Sequence, residues 1–72
     1  MNMAEVIKAL RAAALSNQEV ILYLADDSSA RGRVAEVTPA LMVKLLHLNK
    51  EGLAVGADYY QVGDVVLVTT GA

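Results

Sequence analysis

The chain has 72 residues, no cysteine and a formal net charge of −2 at pH 7, with a pI near 5.1. This length predicts a single domain over residues 1–72, and the absence of cysteine excludes disulfides and thiolate metal sites. The acidic pI lacks the basic excess of a dedicated nucleic-acid binder.

Hydrophobic residues make up 56% of the chain, without Phe or Trp. Soluble domains typically contain roughly 45–50%, and a chain this short is marginally stable alone. We therefore expect some of the aliphatic surface to be buried between subunits. No apolar run approaches the ~18 residues that span a bilayer, and the N-terminus lacks a signal-peptide pattern. A soluble, cytoplasmic protein without a membrane partner is expected.

Residues 3–16 predict an amphipathic helix. Apolar residues recur at helical spacing from Met3 to Leu10. Asn2 and Glu5 stand three residues apart at its start, which is the spacing of a capping box. A helix this short is unstable alone, so we expect it to dock on the rest of the chain.

Five strand-like runs follow the helix. The first run is apolar on both faces, which predicts a core on one face and the helix on the other. In the second run, Gly32 predicts a sharp bend or a close backbone approach, and alternation places Val34 and Val37 on opposite faces. A tight connection is expected over residues 62–64. The predicted strands are residues 19–25, 30–38, 41–48, 53–61 and 65–70.

Short connections between consecutive strands predict a mainly β fold with antiparallel neighbours. A five-stranded sheet of this size curls in order to bury its inner face. We expect an N-terminal α-helix followed by a strongly bent five-stranded antiparallel sheet that forms a small barrel, either SH3-like or OB-like.

From Leu24 onward the chain resembles the Sm-like (LSm/Hfq-type) protein family. Leu24 and Asp26 match the family's Leu-x-Asp-Gly motif, with Asp27 in place of the turn glycine. Gly32 and Val34 match its Gly-x-Leu motif at the correct offset.

The resemblance extends over nearly the whole chain. The N-terminal helix precedes the first strand as in the family, and residues 62–66 approximate its second motif, Arg-Gly-x-x-hydrophobic. The resemblance implies the SH3-like Sm fold and a homo-oligomeric ring joined through edge strands in residues 53–70. The family's later hydrophobic positions are Leu41, Val43 and Leu45.

In Sm-like proteins the ring pore binds single-stranded RNA. The family's Asp, Asn and Arg positions are Thr38, Met42 and Val62 here, and its glycine is Gly63. The family's base-stacking position is Ala40, which has no ring or guanidinium plane. The resemblance therefore implies an altered RNA site lined by these pore positions.

Basic residues offer phosphate contacts for such a site. On a small barrel, however, charged residues more often form a solvated face. The candidates are Lys44, Lys50, Arg31 and Arg33.

Other polar and aromatic residues have simpler interpretations. His47 is expected at the surface or in an interface, and Tyr59 and Tyr60 favour an interface over base stacking. The serines that could partner His47 in catalysis all lie in predicted turns or caps, and the glycines form no phosphate-binding loop. We expect no enzyme, no metal site and no cofactor.

Two functional hypotheses remain open. The first is a ring module that binds RNA or a ribonucleoprotein partner through an altered pore site. The second is a structural or protein-interaction ring scaffold without RNA binding. A salt-dependent affinity for oligonucleotides distinguishes them, because phosphate binding weakens as salt rises.

Overall fold

The computed structural model describes residues 1–70 as one helix followed by five strands in one sheet. The elements are α1 (Met3–Ser16), β1 (Glu19–Leu24), β2 (Ser29–Val37), β3 (Met42–Leu48), β4 (Ala54–Gln61), a 3₁₀ turn (Val62–Asp64) and β5 (Val65–Thr70). The order across the sheet is β4-β3-β2-β1-β5, and all neighbours are antiparallel. The predicted mainly β fold, with a helix before five antiparallel strands, is confirmed.

Helix α1 begins with the predicted capping box. The Asn2 side chain accepts a hydrogen bond from the Glu5 backbone N–H at 2.8 Å, and the Glu5 carboxylate accepts one from the Asn2 N–H at 3.1 Å. The helix ends where Asn17 turns left-handed, with φ at 55°. No helix in the described part of the chain is long and apolar enough to cross a membrane.

One hydrophobic core joins the helix to the sheet. Val6 and Leu10 from α1 lie in the same buried cluster as Val20 and Leu22 from β1. The prediction that the helix covers the opposite face of β1 was wrong, and Tyr23 on that face is exposed. A chain this small has one core, and the helix completes it instead of covering a second face.

A β-bulge makes the two faces of β2 differ from the predicted ones. The pairing with β3 shifts register between Val34 and Glu36, so Ala35 is an extra residue. One extra residue inverts the side-chain alternation. Val37 consequently lies opposite Val43 and packs on the core with Val34, contrary to the predicted opposite faces.

Candidate nucleic-acid interface

The turn between β2 and β3 contains the predicted pore positions Thr38 and Met42. The Thr38 N–H donates to the Met42 carbonyl at 2.8 Å, and the Met42 N–H donates to the Thr38 hydroxyl oxygen at 3.1 Å. Leu41, predicted as the first residue of β3, lies in this turn with φ at 59°. The Thr38 side chain therefore stabilises the turn as an acceptor, and its hydroxyl hydrogen can donate a hydrogen bond to a ligand.

The 3₁₀ turn adjoins the β2–β3 turn. The Val62 N–H donates to the Leu41 carbonyl at 2.9 Å. Val62 is only 1% exposed and belongs to the core, so its side chain forms no part of a binding surface. Gly63 is exposed, and an added Cβ there would meet only the Met3 side chain, at 3.7 Å. The structure thus brings the predicted pore positions 38, 42, 62 and 63 to one end of the sheet.

An open groove with a cavity volume of about 580 Å³ lies beside Met42. Two adjacent aromatic residues, Tyr59 and Tyr60, line it at the end of β4. The β1–β2 turn forms the opposite wall. The lining residues are Leu24, Ala25, Asp26, Ser28, Met42, Tyr59, Tyr60, Gln61 and Asp64.

The groove is acidic along its rim. Asp26 accepts hydrogen bonds from the Ser28 hydroxyl and, at 3.0 Å, from the Ser28 N–H. These bonds, the hydroxyl first, hold the pKa of Asp26 below its ordinary value, so the carboxylate is ionised at neutral pH. Asp64 is the second carboxylate on the groove. This charge repels phosphate and leaves the aromatic rings as the surface suited to a nucleobase.

Tyr60 keeps its hydroxyl proton. Partial burial, and secondarily the charge of Asp58, raise the pKa of its phenol above the ordinary value. A protonated phenol can donate a hydrogen bond to a ligand. Tyr59 and Tyr60 were not assigned to the site from the sequence. Two adjacent aromatic residues at the end of a strand were the feature that could have indicated them.

None of the predicted phosphate-binding residues lines this groove, although Lys44 lies opposite the groove residue Tyr59 on the neighbouring strand. Arg31, Arg33 and Lys44 alternate with buried residues and so share the outer face of β2 and β3. Arg31 forms an ion pair with Glu19, and Lys44 lies opposite Glu36.

Lys50 is separate from the other basic residues, since it lies in the β3–β4 turn. Lys50 therefore lies apart from the basic residues on the outer face of β2 and β3.

His47 lies at the surface of the β3–β4 pair, in agreement with its predicted place. Its Nε2 is 2.7 Å from a carboxylate oxygen of Asp58 on β4. Both side chains are well exposed, so this contact links two strands at the rim and contributes modestly to stability.

No protein-family model matches the sequence. A search of curated proteins likewise finds no significant match.

Proposed function

We propose that this chain is a ring-forming module of the Sm-like type whose copies join through their edge strands. Strands β4 and β5 lie at the two edges of the sheet, and neither pairs with a further strand within residues 1–70. Because the two edges differ, joining β4 of one copy to β5 of the next is a head-to-tail contact. Such contacts close into a ring where the rotation between copies permits.

The chemistry of the two edges carries this proposal. Val55 and Tyr59 are exposed on β4, and Val66 and Leu67 are exposed on β5. Neither strand contains Lys or Pro, which natural sheets use to prevent pairing at an edge. Two edges without Lys or Pro, with Asp58 as the one charged side chain between them, suit a partner strand, and a second copy supplies one for each edge.

Met1 covers part of the β5 edge in the single chain. Its terminal ammonium donates to the Val66 carbonyl at 3.2 Å, and the Val68 N–H lies 3.5 Å from its sulfur. These are the backbone groups that a neighbouring strand would use. Assembly therefore exchanges two contacts with Met1 for a ladder of main-chain hydrogen bonds.

The short link between β4 and β5 supports a barrel-like curl of the sheet. In a flat sheet, neighbouring strands lie about 4.8 Å apart, so the two edges of five strands would be about 19 Å apart. The connection is the 3₁₀ turn Val62–Asp64, and three residues of 3₁₀ helix rise only about 6 Å. We infer that the sheet bends toward the small SH3-like barrel of the Sm fold.

The proposed RNA site combines the pore end with the groove beside it. Thr38 offers a hydroxyl donor, and Met42, which is hydrogen-bonded to Thr38, lines the groove. Tyr59 is 54% exposed and supplies the aromatic plane that Ala40 lacks. In this proposal bases stack in the groove, and phosphates lie outside its acidic rim, toward Lys44.

A ring scaffold without RNA binding is the second candidate. Asp26 and Asp64 both line the groove beside Met42. Glu19 and Glu36 are interleaved with the basic residues of the outer face. This distribution of charge favours a protein partner over a polyanion.

The first test is the mass of the full chain in solution, measured by light scattering at low micromolar concentration. A ring gives a single species whose mass is a whole multiple of 7.6 kDa, five-fold or more. A monomer at every concentration tested would overturn both candidate functions.

The second test is titration of the assembled protein with fluorescent oligouridine and oligoadenine at low and high salt. RNA binding predicts an affinity that falls as salt rises, because counterions are released from the phosphates. If neither oligonucleotide binds at low salt, the RNA-binding function is excluded and the ring scaffold remains.

A further inference from the structure

The groove beside Met42 combines carboxylates with aromatic rings. Asp26 lies in the β1–β2 turn and Asp64 ends the 3₁₀ turn, while Tyr59 and Tyr60 lie at the end of β4. Among the described residues, no Lys, Arg or His lines this groove. Its charge is therefore complementary to a cation, and its rings offer that cation a flat surface.

The acidic side of the groove is held in place by the backbone. The Ala25 N–H donates to the Asp64 carbonyl at 2.8 Å, which ties the β1–β2 turn to the 3₁₀ turn. Both hydrogen bonds from Ser28 to the Asp26 side chain reach Oδ1, so Oδ2 retains the capacity to accept from a ligand. A site that is organised in advance binds more tightly, because less ordering accompanies binding.

The aromatic side of the groove adds a second attraction for a cation. Tyr59 is 54% exposed, so its ring is accessible to a ligand. A cation over the face of a tyrosine ring is attracted by the negative charge density of that face. Lys44 lies opposite Tyr59 on β3 but does not line the groove.

Arginine is the protein cation that matches both features. Its guanidinium group is planar, so it stacks on an aromatic ring, and its fork of N–H donors matches a carboxylate. The ammonium of lysine carries the same charge as a strongly hydrated point without a plane. The groove volume of about 580 Å³ lies within the range of about 300–1,000 Å³ that is typical of ligand sites.

We propose that this groove binds an arginine side chain from a basic segment of a partner protein, an inference that rests on the protein-interaction scaffold proposed above and names its partner by its chemistry. The guanidinium stacks on Tyr59 and donates to the Asp26 carboxylate, and Asp64 adds a second negative charge. A nucleic acid fits this groove less well, because its phosphates are repelled by the same carboxylates. The net charge of −2 also attracts a basic partner at long range.

Fluorescence anisotropy with a labelled peptide tests the ligand. The full chain is titrated with a short peptide in which arginines alternate with glycine and serine. A lysine version of this peptide keeps the charge and loses the plane, whereas a citrulline version keeps the plane and loses the charge. We expect the arginine peptide to bind about tenfold more tightly than either version. Equal affinity for the arginine peptide and either of the other two would overturn the proposal.

A pair of variants tests the location. Asp26→Asn removes one negative charge while the amide oxygen can still accept from Ser28, and we expect the arginine peptide to bind about tenfold more weakly. Glu51→Gln is the matched control: it removes the same charge from the exposed β3–β4 turn, and affinity should stay within about twofold. Equal losses in the two variants would show general attraction to an acidic protein, and the proposed site would be wrong.

Fluorescent oligouridine, titrated without the peptide because the two probes bind each other, tests the competing ligand. The proposal predicts that Tyr59→Ala weakens binding of the arginine peptide and leaves any binding of oligouridine unchanged. If oligouridine binds the chain and Tyr59→Ala removes that binding, nucleobases occupy the groove and the arginine site is wrong.

Light scattering keeps this proposal separate from the ring. A multimeric chain that shows no preference for the arginine peptide would overturn the arginine site and leave the ring. A monomeric chain that prefers the arginine peptide would overturn the ring and leave the arginine site.

Discussion

Gly32 on β2 lies directly against the Leu46 carbonyl of β3: a Cβ at this position would sit 2.1 Å from that oxygen. The contact involves the backbone of a paired strand, which cannot rotate away as a side chain would. The close approach predicted from a glycine inside a strand is therefore confirmed, and it fixes how tightly β2 crosses β3.

We expect Gly32→Ala to lower the free energy of unfolding by about 3 kcal/mol or more, the upper end for overpacked positions. Urea denaturation of the purified protein measures this loss. Gly56→Ala is the matched control, since its new methyl group meets only the His47 ring edge, at 4.0 Å. Equal stability of the two variants would contradict the close approach.

Tyr59→Ala should weaken oligonucleotide binding by about 1–3 kcal/mol if bases stack on this ring. Fluorescence anisotropy with oligouridine measures the change, and light scattering checks that the assembly is intact. Tyr23→Ala removes an exposed tyrosine from the outer face of β1 and should leave affinity unchanged. Tyr59→Phe keeps the ring and should restore binding, whereas a loss in all three variants would argue against stacking in the groove.

The Ser28 hydroxyl should control the acidity of Asp26. Because its hydrogen bonds depress the pKa of Asp26 in the folded state, this group stabilises the fold above its unfolded pKa. That contribution is lost as the pH falls through the folded pKa. In an NMR titration, Ser28→Ala should raise the pKa of Asp26 toward its ordinary value, while Ser29→Ala should not. If the pKa of Asp26 is unchanged in Ser28→Ala, the lowering of this pKa has another cause.

Leu41→Gly should leave the protein more stable than Leu41→Ala does. Leu41 has φ at 59°, a left-handed conformation that costs an L-residue roughly 1–2 kcal/mol and glycine almost nothing. Its side chain is 42% exposed, and both substitutions remove most of it, so the comparison between them reports the backbone strain. Thermal denaturation should show a higher Tm for Leu41→Gly than for Leu41→Ala, and the reverse order would contradict the strain.

The elements that depend on local pattern were predictable from sequence. The bounds of α1 and β5 follow from the apolar pattern and from residues that end or begin an element, such as Asn2, which caps the start of the helix. The bulge at Ala35 was not predictable, because it depends on which residue of β3 lies opposite each residue of β2. A single unforeseen residue was enough to reverse the predicted face of Val37.

The candidate site was predictable only in part. The resemblance placed Thr38, Met42 and Gly63 at one end of the sheet, and the structure brings them together. It also placed Val62 there, although that side chain belongs to the core. Tyr59 and Tyr60 were missed as groove residues because the gap beside β4 arises from the packing of distant turns, which no local pattern encodes.

The 3₁₀ turn Val62–Asp64 is the only covalent link between the two strands that meet neighbours in the proposed ring. Val62 anchors this link in the core, so the interior of the domain holds the end of β4 and the start of β5 in place. In the proposed ring, the geometry of this link would help to set the rotation from one copy to the next. Inserting one residue into the turn would change the curvature of the assembly, and with it the number of copies that closes the circle.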